Sequence, residues 1–330
     1  EAAAATADVL LYAGLSGIDS HGISMLTEYD ARLGRGWLDL AAAPRIVRES
    51  PASVLIDAGG GLGHWPGSLA MSEAIMRAKA TGMAASAVRN STHFGACGYY
   101  TKMAAEAGLI GLCTTSASMI RVVPTGGAEP RLGTDPFSFA APGADGEPFL
   151  LDMATTTVAF GKVRNKLTEG EPCPPGWILD AAGRATTDPA EVAERGGFLT
   201  SLGGSKANGS HKGYGLAAMV NILSSCLSGA MLITDPKRPE RTFGPEIGHF
   251  CLALDPGLFR DAADFRAEVA SFASALRATR PLDAAEPVMI AGDPERAAAE
   301  RRRRDGIPIA PGLAARLQKI AEAADVPWLL

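Results

Sequence analysis

Apolar positions recur at helical spacing near both ends of the chain and in short strand-like runs between them. Residues 1–16 and 22–34 read as two helices, the second with Ile23, Met25 or Leu26, Tyr29 and Leu33 on one face. From Ser53 the pattern switches to strands at 54–58, 83–88 and 109–114 alternating with helices at 68–80 and near 99–107. This βαβαβ rhythm with short connections predicts a sheet covered by helices. Strand-like runs follow at 137–140 and 148–153, then a Gly/Pro-rich excursion to Gly209. The uncharged run 213–234 contains Asn221, Ser224, Ser225 and Ser228 and should stop as a helix at Gly229, short of the ~20 apolar residues a bilayer span needs. It predicts a buried core helix. A strand at 248–254, a helix with Phe265, Val269, Phe272 and Leu276 on one stripe, a charged segment 295–305 and a helix near 313–323 follow. The expected fold class is α/β (α+β), with a helical N-terminal part at 1–48 packed against C-terminal helices at about 311–330, beside an α/β body at 49–310.

Length and composition narrow this further. The 330 residues exceed a usual single core, so either one large α/β unit or two interleaved parts is expected. With 36 acids against 31 bases the net charge is −5, which argues against a nucleic-acid surface because counterion release needs clustered cations. The five cysteines are odd in number and form no Cys-x-x-Cys pair, as expected of reduced packing residues in a cytoplasmic chain. The chain opens inside a helical pattern, so an N-terminal piece is expected to precede it. The 38 glycines and 22 prolines cluster between apolar segments, which puts function in loops.

Several loops carry candidate chemistry. Gly59-Gly60-Gly61-Leu62-Gly63 sits where a dinucleotide fingerprint would, but the third glycine of G-x-G-x-x-G falls at His64 or Pro66 and the next strand ends in Arg89-Asn90 rather than an acid. A Rossmann pyrophosphate turn is therefore not expected. In Asp19-Ser20-His21-Gly22, a histidine flanked by a hydroxyl and a carboxylate is either an oriented acid/base or an exposed residue beside a helix cap. Asn90-Ser91-Thr92-His93-Phe94-Gly95 follows a strand, where open α/β folds place ligands; His93 is catalytic there or packs on Tyr99 or Tyr100. Asp152 ends an apolar strand, either orienting another group or capping the helix after Thr157. His211-Lys212 opens a helix after a glycine-rich stretch, an anion site or a solvated lysine. The five histidines show no metal-ligand spacing, so no metal is expected.

Taken together, GIDSHG, RNSTHFGACGYY, VVPTGG with GTDPFSFAAP, LDMATT with AFGKV, TTDP, HKGYGLAAMV and GDPE resemble, in order, the malate/L-lactate dehydrogenase family of the non-Rossmann type. The resemblance spans Gly17 to Pro308. It implies a homodimer binding NAD or NADP in a non-Rossmann fold, with the site near the interface. The reaction it implies is hydride transfer between nicotinamide and C2 of a small 2-hydroxy/2-oxo acid of malate, lactate, sulfolactate or ureidoglycolate type, or of a cyclic imine carboxylate of piperideine or pyrroline type. His21 matches the proton donor, with Ser20 and Asp152 as relay partners; in ureidoglycolate-type members the acid/base matches His93 instead. Tyr29, Arg121 and Thr134 fall at substrate-side positions, and Ser116, Asp152, Met153, Ala154, Thr155, His211, Lys212, Gly292 and Asp293 in cofactor-binding segments.

The chain also departs from the pattern. The family reads S-H-G-x-x-R, the arginine gripping the substrate carboxylate, whereas this chain has Met25. Arg121 could replace it from another loop, the substrate could be less acidic, or Arg121 could simply be surface. Asp135 stands for the family's asparagine and Ala291 for a proline. Two rival classes remain: a catalytically silent dinucleotide-binding relative, and a metal-dependent hydrolase using Asp19, His21 and His93.

Overall fold

The computed structural model describes residues 1–235 and 246–329. In chain order the helices are α1 (Ala2–Leu15), α2 (Leu26–Gly34), α3 (His64–Thr81), α4 (Cys97–Glu106), α5 (Phe160–Glu169), α6 (Pro189–Ala193), α7 (Ser210–Asn221), α8 (Ala262–Arg277), α9 (Asp293–Asp305) and α10 (Pro311–Ala323). The strands are β1 (Arg45–Ser50), β2 (Ser53–Asp57), β3 (Met83–Ser91), β4 (Ile110–Thr115), β5 (Val122–Val123), β6 (Phe137–Ala141), β7 (Phe149–Met153), β8 (Ile178–Leu179), β9 (Ala185–Thr186), β10 (Phe198–Thr200) and β11 (Ile247–Leu254).

Seven strands form one sheet in the order β1-β2-β3-β11-β4-β6-β7. Only the β2–β3 pair is parallel; the other neighbours are antiparallel. The late strand β11 takes the central place between β3 and β4. Because side chains alternate along a strand, Cys113 and Thr114 face opposite sides of this sheet. On Cys113's side, α3 and α4 enclose the core with Val54, Ile56, Met71, Val88, Phe94 and Tyr100. On Thr114's side lies the segment following α7, where Ser224 Oγ meets Thr114 Oγ1 at 2.7 Å. A smaller sheet, β5-β10-β8-β9, packs its own core of Val122, Val163, Ile178 and Leu199 under α5 and α6. The expected glycine-rich excursion thus contains real strands, too short for periodicity to reveal.

The chain ends converge as helices: α1 packs on α3 and α9, and α2 on α10. The uncharged run is corrected in one respect. It continues from α7 into a π-helical turn, Ile222–Cys226, and Gly229 at φ +74° follows its last turn. Only one face is buried, at Val220, Ser224 and Ser225; Ile222 and Leu227 are 58% and 59% exposed. The stripe on α8 behaves alike, with Phe272 63% exposed. No helix among the described residues is long and apolar enough to cross a membrane.

Candidate active site

The loop after β3 is held from two directions. A Cβ at Gly63 would stand 2.3 Å from the carbonyl oxygen of Thr92, and the Gly63 N–H donates to the carbonyl of His93 at 3.2 Å. The glycine-rich turn before α3 therefore exists to admit this loop. Beneath it, Phe94 stacks between Tyr100, 4.5 Å away, and His249, 4.2 Å away. His249 is itself fixed by Thr115 Oγ1 and Ser91 Oγ, each at 2.8 Å, and burial in this stack lowers its pKa to about 3. The outcome is a rigid platform from which His93 projects.

His21 arrives from the other end of the sequence. Two short 3-10 turns, Asp19–His21 and Ile23–Met25, join α1 to α2. Asp19 does not cap the turn; Arg302 of α9 binds its carboxylate and the Gly14 carbonyl. Ser20 Oγ meets His21 Nδ1 at 2.8 Å. The rings of His21 and His93 then lie 5.5 Å apart, tilted by 31°. His93 does not pack on Tyr99 or Tyr100: its Nδ1 is 2.8 Å from the hydroxyl of Tyr29, which also meets His64 Nε2 at 3.2 Å. His64 Nδ1 is 3.3 Å from Thr6 Oγ1. Burial lowers the pKa of His21, takes His64 down to about 3 and puts His93 well below the usual imidazole range, where the charges of His21, His64, Arg32 and His249 add to the effect. Of this chain of groups, His64 and Thr6 were not singled out from sequence, since His64 read only as part of a glycine-rich turn.

The remaining candidates fall elsewhere. Asp152 accepts the Gly98 N–H at 2.7 Å, and burial, with Glu295 nearby, raises its pKa to about 6. It does not cap α5, whose N-cap is Ala159. Among the described residues it makes no hydrogen bond to His21; the α1 side chain whose titration it affects is Tyr12. Thr155 binds the Thr134 carbonyl through both its N–H and its hydroxyl, while Met153 and Ala154 are half-buried beside it. Ser116 Oγ accepts the Gly248 N–H at 3.1 Å and is buried. Asp135 is fully buried, accepting the N–H groups of Ala117 and Gly133, and burial raises its pKa to about 6. Met25 packs with Leu10, Tyr29 and Leu38. Arg121 lies over the Phe160 ring at 3.9 Å, with no contact to either site histidine among the described residues. The guanidinium whose charge reaches both His93 and Tyr29 is instead Arg32, held at 2.9 Å by Glu28.

At α9, Gly292 provides a left-handed N-cap, and the Asp293 carboxylate is gripped by Arg277 and Arg296. His211 and Lys212 stand exposed in the first turn of α7 after Gly209, and Lys212 makes no ion pair among the described residues. The Ser210 and Lys212 N–H groups already donate to the Ser205 and Gly209 carbonyls, at 3.0 and 2.9 Å, so what this helix start offers an anion is chiefly the exposed Lys212 ammonium. No cluster of three metal-ligating side chains is found among the described residues.

A mixed, mostly antiparallel sheet with helices on both faces and no G-x-G-x-x-G turn is not a Rossmann fold. The family model described as malate/L-lactate dehydrogenase matches residues 1–318, and the chain belongs to that family. It is 38% identical over 330 residues to a malate dehydrogenase of Pyrococcus horikoshii, covering 100% of this chain and 91% of that one. The crystal structure of malate dehydrogenase from Entamoeba histolytica superposes with a TM-score of 0.93 at 34% identity, covering 99% of this chain and 92% of that one. A delta1-piperideine-2-carboxylate reductase from Pseudomonas syringae pvar. tomato gives 0.82 at 31% identity, covering 95% and 91%. The family's members are dehydrogenases of hydroxy acids, and membership implies a nicotinamide dinucleotide cofactor.

Proposed function

We propose that this chain oxidises a small 2-hydroxy acid, or forms one by reducing the 2-oxo acid, beside His21 and His93, with His21 as proton donor and acceptor. The observation that carries the reading is the meeting of those two imidazoles from segments far apart in sequence, each with its Nε2 free of hydrogen-bond partners among the described residues. Bound nicotinamide supplies or takes a hydride at C2 of the substrate. The chain's own part is to deliver the neutralising proton as charge develops on the C2 oxygen. Ser20 Oγ can accept from Nδ1–H of a charged His21, which leaves the proton on Nε2 for the substrate. The exposed Lys212 ammonium holds a cofactor phosphate in this reading, and Thr155, bonded to the Leu202 N–H, carries the 152–155 segment towards it. Malate-type acids are the preferred substrates because a malate dehydrogenase is among the most similar relatives over the full chain. A cyclic imine carboxylate is the second reading, favoured by Met25 and by the piperideine-2-carboxylate reductase likeness.

The uncovered apolar face at Ile222 and Leu227 supports a homodimer of this 34.1 kDa chain. The four buried cysteines and one exposed one, all free, support a reducing cytoplasmic setting. The test is a panel of NADH and NADPH against 2-oxo acids and cyclic imine carboxylates, followed by reduced-nicotinamide absorbance. Turnover with one acid class, lost by roughly two to four orders of magnitude in His21→Ala, is expected. Near-normal turnover of that variant, or none in the unmodified chain, overturns the reading.

A further inference from the structure

We infer that His93 is a neutral hydrogen-bond donor of fixed tautomer, locked by Gly95 and by the Tyr29–His64–Thr6 chain behind it, and that it polarises the substrate's C2 oxygen while His21 alone carries the transferred proton. The inference rests on the hydroxy-acid reading above and assigns the two histidines separate tasks.

The direction of every bond in the chain follows from one fixed donor. The Gly95 N–H points at His93 Nδ1 at 3.3 Å, and a peptide N–H can only donate, so Nδ1 is an acceptor and the ring proton sits on Nε2. Tyr29 must then donate to Nδ1 across 2.8 Å and spend a lone pair on His64 Nε2–H at 3.2 Å. His64 Nδ1 in turn accepts from Thr6 Oγ1 at 3.3 Å. Protonating His93 at Nδ1 would set one N–H against another at Gly95. It would also place a cation among His21, His64, His249 and Arg32, the titratable and charged groups acting on it, all positive when charged. Burial pushes the same way. His21 is built differently: its Nδ1 faces a freely rotating hydroxyl on exposed Ser20, which accepts as readily as it donates.

The step balances accordingly. As C2 of the oxo acid gains a hydride and the dihydronicotinamide is oxidised, the C2 oxygen takes the proton from Nε2 of cationic His21, which becomes neutral. His93 Nε2–H stays bonded to that oxygen throughout, and its donor is worth most in the transition state, where the oxygen is most negative. Tyr29 and His64 are positioning residues, acting only through the tautomer they hold.

Long-range proton–nitrogen spectra of the full chain labelled in histidine nitrogen read the lock directly, without turnover. From about pH 5.5 to about 9, His93 should stay neutral with its proton on Nε2, while His21, whose pKa burial lowers, gains its proton towards the acid end; His93→Gln assigns the signal by removing it. Tyr29→Phe removes the shorter of the two bonds to Nδ1 and leaves only the 3.3 Å Gly95 contact, so the proton should stay mainly on Nε2 while a minor Nδ1-protonated form becomes detectable, with the circular-dichroism spectrum retained. In the reduction direction His21 must be cationic, so loss of its proton sets the alkaline limb of the pH profile. His93→Gln keeps an N–H donor and should lose roughly tenfold in kcat while preserving that limb; His21→Gln should lose roughly a hundredfold or more, together with it. Titration of His93 within that range, a proton on its Nδ1, or loss of the alkaline limb in His93→Gln overturns the inference. If no hydroxy acid is turned over, the functional reading fails while the spectra still decide the lock, so the two failures are distinguishable.

Discussion

Asp293→Asn separates a structural clamp from a cofactor ligand at the start of α9. The carboxylate accepts from Arg277 at 2.9 and 2.7 Å, from Arg296 and from the Ile290 N–H at 3.1 Å. These bonds, the Arg277 pair foremost, hold its pKa at about 2. Against about 4 for an aspartate in the unfolded chain, the depression is worth about 2–3 kcal/mol, and Asn keeps a single acceptor, so about 2 kcal/mol should be lost at pH 7. The sign is that of a lowered acid: the contribution is complete above about pH 5, falls to about half near pH 3 and vanishes below the folded pKa. For a chain of this length the variant should melt about 3 °C lower by scanning calorimetry at pH 7, with the gap narrowing on acidification. Equal melting temperatures at pH 7, or a gap constant down to pH 3, would refute the clamp.

Three further outcomes follow from the packing. A Cβ in Gly98→Ala would sit 2.7 Å from the Tyr12 hydroxyl and 2.9 Å from Asp152 Oδ2, so the variant should lose about 1–3 kcal/mol of stability and lower kcat by moving that carboxylate; wild-type values for both would show that the contact is not tight. Arg32→Gln should raise KM for a carboxylate substrate roughly tenfold or more, whereas Arg121→Ala should cost stability, about 1 kcal/mol, through the lost Phe160 stack; the reverse pattern restores Arg121 as the substituted grip. Thiol titration of the native chain should find at most one fast-reacting cysteine, Cys226, the other four responding only after unfolding; a second fast thiol contradicts their burial.

The alternation of strands and helices from Ser53 to Thr115 was legible because each element buries one face on the same core, which forces the pattern to repeat. That β11 would enter the middle of the sheet was not, since pairing across more than a hundred residues leaves no mark on local periodicity. The exposed faces of α8 and of the π-helical turn look like core in sequence for the same reason: apolar spacing records that a face is covered, not by what. The histidine segments stood out because polar residues interrupted apolar runs at element ends. His64 escaped notice because its partners, Thr6, Tyr29 and through it His93, come from three distant segments. Asp152 stood out in sequence as an acid ending an apolar strand, but the partner that holds it, the Gly98 N–H, is a backbone group that no side-chain motif announces.

The grip of Arg302 on Asp19 bears on how the chain is made. The two residues are 283 apart in sequence, so the turn that carries His21 waits for its anchor until all the residues between them have been synthesised. At roughly 5–20 residues per second, that delay is on the order of a quarter of a minute to a minute. The turn that carries His21 is therefore among the last parts of the candidate site to be secured, and a nascent chain stalled before α9 would carry both histidines without the anchor that holds that turn in place.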